Sequence, residues 1–204
     1  SPSGRSGLSQ SVRMALVVLV VATAAAAAGA RAAAAGRCVV SQEMRFEWRL
    51  ADGGDALNVT VTWARPGDWV GIGWQPAGSD ARGMFGADFA VLDFADGDDV
   101  PRAADRSFDA QGDGMRPPVL DAAKGGRDDL YDVHYAATGG TATFSFMRKL
   151  DTGDTAADNA IARGKTVVLW ALGASPDFEY HRDERGTVLL DFVAGGECAP
   201  LKWP

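Results

Sequence analysis

The chain has 204 residues with two histidines and two cysteines, which narrows the chemistry it can do. A copper oxygenase needs several imidazoles, so copper is not expected here. No nucleophile-elbow motif accompanies His181, and a serine-type triad has no support beyond residue type. None of the acids stands out by position as a pair for glycoside chemistry. Asp151, Asp154 and Asp158 are spaced to hold a cation, but turns and helix caps are the ordinary roles of such residues, and calcium has no other support in the sequence. His134 lies in Leu130–Tyr135, where alternation turns it and Asp132 to solvent. His181 lies in the polar segment Phe178–Gly186, and Met84 in the loop Arg82–Asp88. Loops held by a rigid framework are where binding residues gather, although a lone loop methionine is more often a gap-filler and a lone loop histidine more often solvated. Cys38 and Cys198 would most simply pair in an oxidising compartment. A loop that long should gain roughly 4–5 kcal/mol in the chain-entropy model. Two free buried thiols are the alternative, and a metal site from two cysteines would be short of ligands.

The elements that must position these residues are strands. Met44, Phe46, Trp48 and Leu50 alternate with Arg45, Glu47 and Arg49, the pattern of a half-buried strand. Leu57–Trp63 repeats it with Asn58, Thr60 and Thr62 outward. Val70, Ile72 and Trp74 form a third strand, with Gly71 and Gly73 on the opposite face, where missing side chains let another group approach closely. Phe89–Phe94, Leu130–Tyr135, Thr143–Met147, Val167–Leu172 and Thr187–Phe192 supply five more. Val167–Leu172 is apolar on both faces, as a central strand is. Gly- and Asp-rich clusters mark the turns, the stretch from Asp96 to Gly126 reads as a long loop with room for a short strand, and Asp154–Ala162 reads as one helical turn capped by Asp154. About eight or more strands with almost no helix predict an all-β, immunoglobulin-like antiparallel sandwich in one domain, closed by the disulfide.

Several segments form an ordered set: Trp69–Trp74, Gly83–Val91, Phe146–Asp154, Trp170–Gly173, and Tyr180-His181 followed by Arg185-Gly186. In this the sequence resembles the DOMON domain, the N-terminal module of dopamine β-monooxygenase-like proteins, over most of Cys38 to Val193. The resemblance implies the same sandwich. It also implies one of two functions. Some members bind b haem through one methionine and one histidine, as in cytochrome domains of extracellular dehydrogenases. Carried over by position, those ligands would be Met84 and His181, giving a six-coordinate iron suited to one-electron transfer. Arg182 and Arg185 could then pair with the propionates, Tyr180 stands beside the histidine, and Trp69, Trp74, Phe85 and Phe89 could line the pocket. Other members bind sugars or act as regulatory modules beside a copper monooxygenase core, and the Gly83 and Tyr180 segments look most like that branch. A non-haem site for a carbohydrate or a small phenolic ligand is therefore the alternative. That copper core is absent from this sequence, and catalysis by the chain alone is not expected.

Residues 1–36 differ in kind. Arg5 and Arg13 precede Met14, which is a candidate true start, and an apolar run reaches Ala30. This is the pattern of a secretory signal peptide, cleaved between Ala30 and Gly36. The expected mature domain is 37–198, with 199–204 as a short tail. Removing Arg5, Arg13 and Arg31 leaves 17 basic against 27 acidic residues, a charge of −10. Such a surface disfavours nucleic acid and anionic membranes. No later segment is apolar enough to span a bilayer. Asn58-Val59-Thr60 is a glycosylation sequon on a solvent face. The expected product is a secreted monomer whose partner is a redox protein or a small ligand.

Overall fold

The computed structural model describes residues 34–94, 100–108 and 117–201. Most of the segment read as a signal peptide therefore lies outside the described residues. Strand alternation is realised in two facing sheets. The first orders its strands as β12 (Gly196–Glu197), β1 (Ala35–Val39), β2 (Met44–Ala51), β3 (Ala56–Trp63), β9 (Thr141–Lys149) and β8 (Tyr131–Thr138). The second runs β13 (Ala199–Leu201), β11 (Arg185–Leu190), β10 (Thr166–Leu172), β4 (Val70–Trp74), β5 (Asp88–Asp93), β6 (Arg102–Ser107) and β7 (Val119–Leu120). The expected all-β sandwich is thus present, and all eight anticipated strands are in it. The pairing is antiparallel except between β1 and β12, which run parallel.

The inner faces make the main core. Phe46, Trp48, Val59, Val61, Phe144 and Phe146 from the first sheet meet Val70, Ile72, Trp74, Leu92, Val168 and Leu172 from the second. Fully burying each such side chain is worth about 1.5–3 kcal/mol. Buried indoles also find acceptors: Trp48 Nε1 donates to the Phe192 carbonyl and Trp74 Nε1 to that of Asn159. Arg148 is the exception in this interior. It continues the inward series Ala142, Phe144, Phe146 of β9 and is 1 % exposed.

Three expectations change. The loop from Asp96 to Gly126 carries β6 and β7, because β6 pairs along all of β5 from Asp88 with Ser107 to Asp93 with Arg102. Asp154–Ala162 forms a single turn closed by Asp158 N–H on the Asp154 carbonyl, without a helix. The tail is no loose end: Ala199–Leu201 pairs with Thr187–Leu189 of β11. Cys38 and Cys198 form the disulfide, with Cα atoms 5.3 Å apart, and it ties β1 to the segment between β12 and β13. Such a bond forms and persists in an oxidising compartment. Among the described residues no helix is long and apolar enough to cross a membrane.

Candidate ligand-binding site

The second sheet is apolar on both faces, as the unbroken run in β10 foretold. Its outer face carries Phe89, Val91 and Leu169, which form a second buried cluster with Trp69, Ala87 and Phe108. The two glycines of β4 behave differently on this face. A Cβ at Gly73 would stand 2.3 Å from the Phe89 ring, so Phe89 occupies the space left there. A Cβ at Gly71 would meet only ordinary contacts, and Gly71 opens onto a cavity. The cavity holds about 500 Å³, well inside the range of small-molecule sites.

Three segments wall it. The first is the turn 83–87, closed by Ala87 N–H on the Met84 carbonyl at 3.0 Å, which presents Met84 and Phe85. Buried Gln75 holds this turn by donating Nε2 to the carbonyls of Gly83 (2.5 Å) and Phe85 (3.3 Å). Asn159 holds it from the other side, Nδ2 donating to the Gly86 carbonyl at 2.7 Å. The second wall contains Phe108, whose ring meets Phe85 edge-on at 5.1 Å, together with Pro117 and Pro118. The third is the segment Phe178–His181. Phe178 is pinned edge-on against Trp69 at 4.9 Å and lies under the Arg106 guanidinium at 4.5 Å.

Met84 and His181 thus line one cavity although they stand far apart in the chain. Burial pushes the His181 pKa down, the Arg185 charge pushes it the same way, and the Arg182 carbonyl opposes. That carbonyl lies 3.1 Å from His181 Nδ1 and can only accept, so the contact requires Nδ1–H and leaves the Nε2 lone pair open. The Arg185 guanidinium makes a longer contact of 3.4 Å with the same nitrogen, donates to the Tyr180 hydroxyl and lies over its ring.

These observations meet a family match. Residues 40–173 match the DOMON domain. The chain belongs to the DOMON family. The match runs from the residue before the turn into β2 to the residue after β10, so it includes Trp69 and Met84, while His181 and Arg185 lie beyond it. No curated protein matches the chain.

Of the DOMON residues singled out in the sequence, Trp69, Met84, Phe85, Phe89, Tyr180, His181 and Arg185 line the cavity. Trp74 and Arg182 do not. Trp74 shares the inward face of β4 with Val70 and Ile72 and belongs to the inter-sheet core. Arg182, at φ 51, acts through its backbone carbonyl, which accepts from both His181 Nδ1 and Arg185. Gln75 and Asn159, which set the Met84 turn, carried no signal in the sequence, being single amides in loops or strand ends.

A second charged centre lies beside this site, at the far end of the Met84 turn. Carboxylate oxygens of Asp88, Asp105, Asp121 and Asp158 lie within 4.8 Å of one another, and Asp129, Asp154 and Asp158 make an adjoining group. Arg148 reaches the first group from the opposite sheet. Its Nη2 is 2.6 Å from Asp88 Oδ2 and 3.0 Å from Asp158 Oδ2, its Nε is 3.7 Å from Asp105 Oδ2, and its guanidinium stacks over Trp74 at 4.7 Å. Burial pushes Asp105 up to about 10, with the Asp88 charge adding to it. Burial likewise raises Asp88 to about 7 against the pull of Arg148, and Asp121 to about 6 against that of Ser107. Asp154 goes the other way, because the Arg127 and Ala156 amides donate to it. Asp151, once grouped with Asp154 and Asp158 as a cation candidate, lies outside both clusters and caps a turn through Gly153 N–H. The readable sign of this centre was an arginine on the apolar face of β9.

Proposed function

We propose that this DOMON domain binds b haem in the outer cavity of the second sheet, with Met84 and His181 as axial ligands, and that it serves one-electron transfer. The observation that carries the reading is that a thioether and an imidazole, chosen by position in the sequence, line the same apolar cavity. The donor set fits the group. A hydrogen bond on Nδ1 fixes the ring and frees Nε2, and the remaining lining is dominated by apolar and aromatic side chains that keep water from a macrocycle. Arg185 stands at the cavity beside His181, where a propionate would find a charge-assisted partner. Bound in this way, the haem would supply reversible one-electron chemistry, at a potential raised by the soft sulfur.

A specific observation favours the second reading, a carbohydrate or small phenolic ligand without haem. Phe85 and Tyr180 line the cavity yet are 55 % and 65 % exposed, offering aromatic surface on which a flat ring or a sugar face can stack. The buried Trp69 indole N–H also has no protein acceptor.

The test is a visible spectrum of haem-reconstituted protein, oxidised and then dithionite-reduced. Sharp low-spin b-type bands, lost in both Met84→Ala and His181→Ala with the fold intact by circular dichroism, are the expected result. A flat wild-type spectrum discards haem and sends the work to sugar and catechol titrations.

The disulfide fits the oxidising compartment that a secretory leader would deliver the chain to. Gly36 belongs to the folded domain, because a Cβ there would lie 2.2 Å from the Trp48 ring, and β1 begins at Ala35. We therefore propose cleavage of the leader between Ala30 and Ala34, a reading that the packing of Gly36 supports. Asn58 is half-buried on the outward side of β3, and its sequon is proposed as a glycan site.

A further inference from the structure

We propose that Asp88, Asp105, Asp121 and Asp158 form a buried site for a divalent cation of the calcium type, and that the ion sets the rigidity of the turn carrying Met84. This holds whichever ligand the cavity takes. The four carboxylates converge from four segments: β5, β6, the turn after β7, and the loop after β9. Asp88, Asp105 and Asp121 are 0–1 % exposed.

The unused oxygens point to a ligand. Asp88 Oδ1, Asp105 Oδ1, Asp158 Oδ1 and both oxygens of Asp121 are buried with no donor in hydrogen-bonding geometry. The hydroxyl of Ser107, which pairs directly opposite Asp88, leans on Asp121 without forming a well-directed hydrogen bond. Leaving one such group unsatisfied costs about 1–3 kcal/mol, and more if it is charged. Arg148 enters the cluster but bonds other oxygens, Asp88 Oδ2 and Asp158 Oδ2. Lys124 sends its Nζ to the Ser107 carbonyl at 3.3 Å.

Four converging carboxylates, with no sulfur and no imidazole among them, are a hard, oxygen-only donor set. Calcium takes six to eight such ligands with flexible geometry, whereas magnesium keeps several waters and demands a strict octahedron that a dry, crowded site does not offer.

The route to the cavity is short. Asp88 Oδ2 accepts the Asn159 N–H at 3.0 Å, and the Asn159 side chain donates to the Gly86 carbonyl at 2.7 Å. Holding Asp88 with an ion therefore holds Asn159, and through it the turn 83–87.

The experiment uses the full secreted chain, stripped with EGTA and titrated with calcium chloride or magnesium chloride, without haem. Calcium is expected to raise Tm by roughly 5–10 °C at a hundredfold excess over its Kd, and to bind one ion per chain by native mass spectrometry. It should slow amide exchange at Gly86 and Ala87. Asp121→Asn, which removes one ligand charge at nearly unchanged volume, should abolish all three effects, and the exposed Asp151→Asn should leave them intact. If Asp121→Asn fails to fold, the wild-type titration and Asp105→Asn decide in its place. Unchanged wild-type Tm, or an Asp121→Asn protein as stable as calcium-saturated wild type, overturns the site and leaves a proton-sharing cluster. Calcium binding without slowed exchange at Gly86 and Ala87 overturns the link to the turn. Because the readouts need no haem, a flat visible spectrum leaves the outcome unaffected.

Discussion

The two sheets of this sandwich share a core but have opposite outer faces. The first presents Arg45, Glu47, Arg49, Asn58 and Thr60, polar residues that face solvent or are half-buried. The second presents Gly71, Phe89, Val91, Leu169 and Ala171, apolar or absent side chains that must be covered. An antiparallel sheet with one wet face needs only alternation, while a sheet apolar on both faces must find a second layer. Among the described residues three loop segments cover the sheet and leave a cavity between them and it. The difference shows that a ligand site on a sandwich can be sought where a strand fails to alternate, before any binding residue is recognised.

Four measurements would break or sharpen this contrast. The largest effect is expected from Leu169→Asp, which buries a charge on the covered face, and a loss of about 3 kcal/mol in urea denaturation is expected. Next is Gly71→Leu, whose side chain projects into the cavity. Ligand affinity should fall about ten- to hundredfold, read by haem or dye titration, with the melting curve little changed.

A smaller effect concerns pH. His181 has its folded pKa below the ordinary value of 6.5, so its contribution to stability is present above that value. It is lost as pH falls through the folded value. Between pH 7 and pH 5 the wild type should lose more stability than His181→Gln, as followed by Tm. The smallest effect belongs to the open face: Thr60→Val should change stability by no more than about 0.5 kcal/mol and leave ligand affinity alone. If Thr60→Val weakens binding as Gly71→Leu does, the ligand sits on the wrong sheet.

How far the sequence anticipated this depends on which force shaped each part. Strands such as β2 and β9 were readable because alternation between core and solvent writes a period of two into the chain, whereas β4, β5 and β10, buried on both faces, were readable as short apolar runs between turns. The strand β6 was hidden because Asp105, buried among charges, interrupts the apolar series Ala103-Ala104. The short strands β1, β7, β12 and β13 hold two to five residues and sit at or near sheet edges, where packing imposes little pattern. Met84 and His181 came into view through the family resemblance, and their meeting at one cavity depends on loop packing that no local pattern encodes. The carboxylate centre was most legible at Arg148, a charge that ends the inward apolar series Ala142, Phe144 and Phe146 of β9. Its partners come from four separate segments, so no spacing in the sequence announces them.

The clasp at Cys38 and Cys198 has a mechanical consequence. The two Cα atoms lie 5.3 Å apart although 160 positions separate them in sequence. Tension applied through the polypeptide on either side would pass across that bond and bypass the residues between. Only the strand stubs outside the clasp, Ala35–Arg37 of β1 and Ala199–Leu201 of β13, would bear load, so the cavity, the Met84 turn and the carboxylate centre would keep their geometry under a pull that unzips an unclasped sandwich. Reduction would transfer that load to the ladder between β1 and β2. In a force-extension trace the oxidised domain should add only the few residues outside the clasp, whereas the reduced one should release its whole contour.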